Sequence, residues 1–270
     1  MKSDLVFRTT FNYLEEVYQD CLKKHINDSR YRDLRHTLSD INNGTKVLES
    51  EEQINAYIAF YGAQHYYKLF RAFENLNLLN FVGKSLEIIS YGCGPATDAC
   101  VLISYLASKQ LNLNIDNITL IDPSANSVRR GQKYINSSLV NYQASEKIKI
   151  INKMLDELNI SDISSCKNSV KIHIFSNILD IEQINLQRLA NLIKFSQEGS
   201  NYFVCVSPKK YGGKQRIDDF YSILSHLFEI SNISIDESKI RGRVWSMKTG
   251  NFNDNYYIDN YQRIFMMYAS

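Results

Sequence analysis

The sequence predicts an α/β fold: a doubly wound sheet of seven strands, mostly parallel, behind an α-helical N-terminal region. Three observations carry this. From about residue 81, short β-branched runs alternate with helical stretches, the pattern of βαβ units and a parallel sheet. Before that point the apolar spacing is helical throughout. Hydrophobic residues make up 44% of the 270, enough to bury a full core.

In the N-terminal region, Phe7, Phe11, Leu14, Tyr18 and Cys21 recur at spacings of four and three, which predicts one helix carrying all five on one face. A polar segment, KKHINDSRYRDLRHTLSDINNGTK, follows and ends in a turn signal. Ser50 and Gln53 have capping-box spacing and open a helix through EEQINAYIAFYGAQHYYKLFRAFENL. That helix is apolar most of the way round, so Tyr57, Tyr61, His65 and Tyr66 read as packing residues. Tyr61 and His65 are also candidates for a lid over a pocket. The strands are LEIIS, NITLID, KIKII, VKIHIFS, YFVCVS, ISNISID and QRIFMMYA. The last has no following segment to form a crossover helix, so it is expected to enter the sheet antiparallel. The three prolines, Pro95, Pro123 and Pro208, each follow a predicted strand, on the edge where open α/β sheets bind ligands. The division expected is a helical cap or lid over residues 1–80 and an α/β domain over residues 81–270.

Composition narrows the class of protein. The net charge of +2 favours no particular partner. The N-terminus lacks the apolar stretch of a signal peptide, and no run approaches the ~20 apolar residues of a membrane span. The five cysteines, Cys21, Cys93, Cys100, Cys166 and Cys205, are scattered and without a C-x-x-C pair. They read as reduced thiols in a cytoplasmic protein with no membrane attachment and no structural metal.

The stretch YGCGPATD points to a ligand. Gly92 and Gly94 permit torsions and close approach that a Cβ would block, and the helix beginning near Ala96 aims free N–H groups at the same spot. No Gly-Lys-Ser/Thr follows, which excludes a P-loop. A dinucleotide fingerprint would want Gly or Ala at Thr97 and an acid about 20 residues on. The acid present, Asp122, ends the next strand, where a carboxylate can accept hydrogen bonds from both ribose hydroxyls.

LEIISYGCGPATDA followed by NITLIDPSANSVRRGQKYI resembles the first two motifs of class I, Rossmann-like, S-adenosylmethionine-dependent methyltransferases. The resemblance implies S-adenosylmethionine as cofactor. Its methionine end is then expected at Ser90, Tyr91, Gly92, Cys93 and Gly94, and its ribose at Asp122 and Pro123. The adenine is expected near Lys153, Met154 and Leu155, and the methyl group facing Ser176, Asn177 and Ile178. Ser90 stands where the family commonly has Asp or Glu, and Ala96 where it has a third glycine.

The acceptor is not named by the motifs. SNILD lacks the Asn/Asp-Pro-Pro-Tyr/Phe pattern seen in enzymes that methylate exocyclic amines of bases, and Cys205 lies inside an apolar strand as a buried thiol. The catalytic candidates are Asp180, Asn177 and His65, with helix capping near Glu182 as the alternative role of Asp180. His173 reads as a core histidine. RNA is a candidate partner through Lys209, Lys210, Lys214, Arg216, Arg241 and Arg243, with Trp245 available to stack on a base. The expected function is methyl transfer to a small molecule, protein or RNA. The alternative, prompted by Ser90, is a methyltransferase-like fold serving as a cofactor-binding or scaffold module. A third reading uses the cofactor for a reaction other than methylation.

Overall fold

The computed structural model describes residues 5–28, 33–140, 142–165, 167–210 and 212–269; Cys166 and residues 29–32 of the polar segment lie outside them. Seven strands form one sheet: β1 (Ser85–Tyr91), β2 (Asn114–Ile121), β3 (Ile148–Ile151), β4 (Val170–Ser176), β5 (Gly199–Ser207), β6 (Ile230–Asp236) and β9 (Tyr261–Ala269). Their order is β3-β2-β1-β4-β5-β9-β6. β1 to β5 run parallel, and β9 lies antiparallel between β5 and β6, as expected of the last strand.

β1 is buried from Leu86 to Tyr91 because helices cover both faces of the sheet. Side-chain alternation divides it. Ile88 faces a core shared with α4 (Ala63–Leu76), α5 (Thr97–Ser108) and α6 (Ala125–Ser138). Ile89 and Tyr91 face a second core with α8 (Leu186–Ser196) and α9 (Gly213–Leu227). The register aligns the carboxyl ends, with Tyr91 opposite Ile121 and Phe175, Ile121 opposite Ile151, and Ser176 opposite Val206. Gly92, Asp122, Asn152, Asn177 and Ser207 therefore follow one another along one edge. The order reverses between β1 and β4, so that edge contains the topological switch point.

The first predicted helix starts later than its apolar spacing implied. Leu5 and Phe7 form antiparallel bridges to Ile115 and Leu139, and helical structure begins only after Asn12, whose Oδ1 accepts from the N–H of Leu14. A π turn, Leu14–Tyr18, leads into α1 (Gln19–Asn27), and α2 (Leu34–Asp40) follows. The pairing supplied by Ile115 of β2 and by Leu139 after α6 overrides a periodicity that Phe7 and Phe11 satisfied by coincidence. The capping box at Ser50 and Gln53 is formed and opens α3 (Glu51–Tyr57). α3 continues through a π turn, Ile58–Gly62, into α4. The chain before α3 is strapped to α6: Ser124 Oγ donates to the Leu48 carbonyl, Asn126 Nδ2 to the Glu49 carbonyl, and Arg130 pairs with Glu51 at 2.5 Å. The buried apolar residues between Leu5 and Phe81 share one core with Leu86 and Ile88 of β1, Ile115, Ile118 and Leu120 of β2, and Ile172 and Ile174 of β4.

The basic stretch KIRGRVWSMKTG forms part of a separate hairpin, β7 (Ile240–Ser246) with β8 (Asn251–Ile258). Gly242 and Val244 are buried while Arg241 and Arg243 face outward. The hairpin rests on the N-terminal helices: Arg243 N–H donates to Tyr67 Oη at 3.1 Å and Trp245 N–H to Tyr18 Oη at 3.4 Å. Between β3 and β4 lies a short helix, α7 (Ile160–Ile163). Among the described residues no helix is long and apolar enough to cross a membrane.

Candidate functional site

A cavity of about 630 Å³ opens at the switch point, within the range of small-molecule sites. Its floor is Gly92, Gly94, Asp122 and Pro123, with Asn177 and Ile178 from the end of β4. Met154 to Glu157, after β3, form one wall; Asn42, Gly44 to Leu48 and Tyr57 form another. Gly92 and Gly94 have φ of +59° and +51°, the left-handed region. A Cβ on Gly92 would stand 2.4 Å from Ile178 Cδ1, so only glycine lets Ile178 close over the turn. Asn177 also sits at φ +55°, a conformation Asn tolerates better than most residues.

Asp122 is tied to the turn. Its Oδ2 accepts from Gly94 N–H at 2.9 Å and its Oδ1 from Ser124 N–H at 2.8 Å. Each oxygen retains a lone pair for a ligand hydroxyl. Burial outweighs these bonds and pushes the carboxyl up to about 6. Met154 and Leu155 line the wall beside it, while Lys153 turns to an ion pair with Asp162 at 2.7 Å.

Several residues expected at the cofactor point elsewhere. Tyr91 lies in the second core, its hydroxyl 3.0 Å from His173 Nδ1 and its ring stacked on Phe175 at 4.3 Å, because it alternates with Ser90 across the sheet. His173 is a core residue held by Tyr91 and Asn201. The Cys93 thiol and Cys205 are buried, and burial pushes both thiols up. Ser176 does not line the cavity; its Oγ accepts from Asn177 Nδ2 at 2.9 Å. Ser90 is fully buried, and its hydroxyl donates to Asp98 Oδ2. A carboxylate therefore reaches the end of β1 from the first turn of α5, one helix entry away from where the motif has its acid. Burial raises the Asp98 carboxyl to about 6.

The side chain that the sequence left unremarked is Lys68. It is 3% exposed on α4, and its Nζ donates to Asn177 Oδ1. Burial lowers the ammonium to about 8 against the attraction of Asp180 and Asp259. It makes no ion pair with either. Asp180 caps no helix, since α8 begins at Leu186 with Asn185 as its cap. Its Oδ1 is buried without a hydrogen-bond partner among the described residues. His65 is buried, stacked on Tyr61 at 6.0 Å, and held neutral by burial and by Lys68. Neither His65 nor Tyr61 lines the cavity. The signal for Lys68 was a lysine at helical spacing among His65, Leu69, Ala72 and Leu76, on the buried face of α4.

The basic residues set apart for RNA are spread over several partners. Lys209 and Lys214 both pair with Glu237, at 2.6 and 2.5 Å. Arg216 donates to the carbonyls of Leu179, Ile181 and Ile184, bracing the loop after β4. Arg241 donates to Tyr257 Oη, and Arg243 pairs with Asp254. The N–H of Lys210 donates to Asp259, and the Trp245 ring packs edge-on against His25 at 6.0 Å. Among the described residues no group of three His, Cys, Asp or Glu is placed to hold a metal ion.

No protein-family model matches the sequence, and no curated protein does. Solved structures similar to this chain include S-adenosylmethionine (SAM)-dependent methyltransferases. The plantazolicin methyltransferase BpumL, in complex with a monoazolic desmethylPZN analog and SAH, is similar over 96% of this chain and 100% of its own, at 12% identity and a TM-score of 0.48. The methyltransferase domain of bacterial CtHen1-CN is similar over 75% of this chain and 99% of its own, at 11% identity and 0.46. A SAM-dependent O-methyltransferase from Thermotoga maritima is similar over 87% of this chain and 71% of its own, at 12% identity and 0.42. These likenesses are distant. The functional reading rests on the site itself.

Proposed function

We propose that the protein is an S-adenosylmethionine-dependent methyltransferase. The observation that carries this is Asp122, half-buried at the end of β2 and hydrogen-bonded to the Gly94 amide of the β1 turn, in a cavity at the switch point. The residues fit the cofactor. Asp122 would take the ribose hydroxyls, Met154 and Leu155 would flank the adenine, and the open face of Gly94 leaves room for the methionine end. Asp98, hydrogen-bonded to Ser90, is buried and does not line the cavity, so the departure at position 90 keeps the scaffold reading as the alternative, which detection of methyl transfer would remove.

When bound, the cofactor supplies a methyl group on a sulfonium centre. The chain must align an acceptor with it and exclude water. Residues 1–80 would serve as the lid, since Asn42, Gly44 to Leu48 and Tyr57 line the cavity. An RNA acceptor is the weaker version, because Lys209, Lys214 and Arg243 already pair with carboxylates. Its mark would be RNA binding that falls steeply with salt.

Titration calorimetry with S-adenosylhomocysteine tests the proposal. Binding to the wild type, weakened about 10-fold or more by Asp122→Asn, is expected. A folded wild type that binds none refutes it.

A further inference from the structure

Beside Asn177, the buried ammonium of Lys68 and the buried Oδ1 of the half-buried Asp180 have unfilled hydrogen-bonding positions and opposite requirements. Lys68 Nζ has three donors and uses one, on Asn177 Oδ1. Asp180 Oδ1 is buried with nothing donating to it. The two attract each other but do not meet in an ion pair. Both flank the end of β4, where Asn177 and Ile178 enter the cavity: Lys68 through its bond to Asn177 and Asp180 three residues further along the chain, each just behind the residues that line the cavity. Leaving such groups unpaired inside a protein is costly unless a ligand pairs them.

Building on the methyltransferase reading, we infer that Lys68 and Asp180 form the acceptor subsite and that the acceptor is a hydroxyl. The group between them must accept from an ammonium, donate to a carboxylate, and still present a lone pair to the methyl carbon. A hydroxyl oxygen has two lone pairs and one proton, and does all three. A neutral amine has one lone pair, which cannot serve both Lys68 and the methyl group. A protonated amine has none and is repelled by Lys68. In the reaction, the oxygen forms its bond to the methyl carbon with the free lone pair. Its proton passes to the Asp180 carboxylate. The electron pair of the broken carbon–sulfur bond stays on sulfur. Lys68, hydrogen-bonded to the oxygen, stabilises the negative charge as the proton leaves.

The test has one arm without cofactor and one with it. In the first, 4-nitrophenol is titrated into the apo protein and its visible phenolate band is followed. The wild type is expected to bind it and raise the ionised fraction. Lys68→Met should weaken binding at least 10-fold, Lys68→Arg should restore part of it, and 4-nitroaniline should not bind. In the second, methyl-labelled S-adenosylmethionine is incubated with the enzyme and a deproteinised cell extract, and the label is sorted by hydriodic acid cleavage, which releases O-methyl groups. Label on oxygen, with about a 100-fold or greater loss of rate in Asp180→Asn, supports the inference. S-adenosylhomocysteine affinity in each variant reports folding and the cofactor site. If it binds while the label lies on nitrogen, sulfur or carbon, or nowhere, the hydroxyl assignment fails and the cofactor reading stands. Failure of 4-nitrophenol to bind overturns the assignment as well. If S-adenosylhomocysteine itself does not bind, both fall together.

Discussion

Replacing Lys68 by methionine should make the protein more stable at neutral pH. Lys68 is 3% exposed, so solvent does not screen its charge. Its ammonium is lowered from 10.5 to about 8, which corresponds to about 3 kcal/mol of destabilisation at pH 7. Methionine removes that cost but leaves Asn177 Oδ1 without its donor, a loss of about 1 kcal/mol. The net gain is about 2 kcal/mol. The sign with pH follows from linkage. A folded-state value below the unfolded one means the unfolded chain holds the proton longer, so wild-type stability rises from pH 8 toward 10.5. At pH 9.5 the residual cost is about 1.4 kcal/mol, so the advantage of the variant should shrink by about 2 kcal/mol. Urea unfolding of both proteins at pH 7, 8, 9 and 9.5 measures the difference. Subtraction cancels the buried tyrosines, which titrate in both. Asp180, Asp259 and His65 face Lys68 and remain in the variant, where burial, the larger of the two causes lowering His65, keeps that imidazole neutral from pH 7 upward. A difference that does not vary with pH, or a wild type more stable at pH 7, would refute the reasoning.

Gly92→Ala adds a Cβ 2.4 Å from Ile178 Cδ1 at a φ of +59°. It should destabilise the fold by about 3 kcal/mol and weaken S-adenosylhomocysteine binding at least 10-fold, whereas Gly94→Ala meets nothing within 4 Å and should cost only about 1 kcal/mol in thermal unfolding. With Asp122 raised to about 6, only about one tenth is ionised at pH 5, so S-adenosylhomocysteine should bind about 10-fold more weakly there than at pH 7.5. Asp98 titrates in the same range and is coupled to Asp122, so calorimetry across pH with Asp122→Asn, which should flatten the profile, assigns the effect. Arg216→Ala removes three charge-assisted bonds to the carbonyls of Leu179, Ile181 and Ile184. It should destabilise by about 2 kcal/mol and raise hydrogen exchange in the loop carrying Asp180.

The sequence by itself determined the sheet, its mostly parallel sense, the turn at Gly92 and Gly94, and the aspartate ending the next strand. Those features are written in local pattern: β-branched runs, helical spacing, and glycine where the backbone requires it. Local pattern also misled. Phe7 and Phe11 keep a helical spacing, yet this stretch of chain is held extended by bridges to Ile115 and Leu139. KIRGRVWSMKTG reads as basic residues beside a tryptophan, because the ring that covers Gly242 comes from Tyr67, far away in the chain. Only the tertiary structure decided what lies around the turn. Asp98 is eight residues from Ser90 but meets it because α5 folds back over β1. Lys68 meets Asn177 across 109 residues, a contact that exists only because α4 packs over the carboxyl end of β4. Periodicity shows which residues are buried, but which buried charges face one another depends on how helices and strands pack.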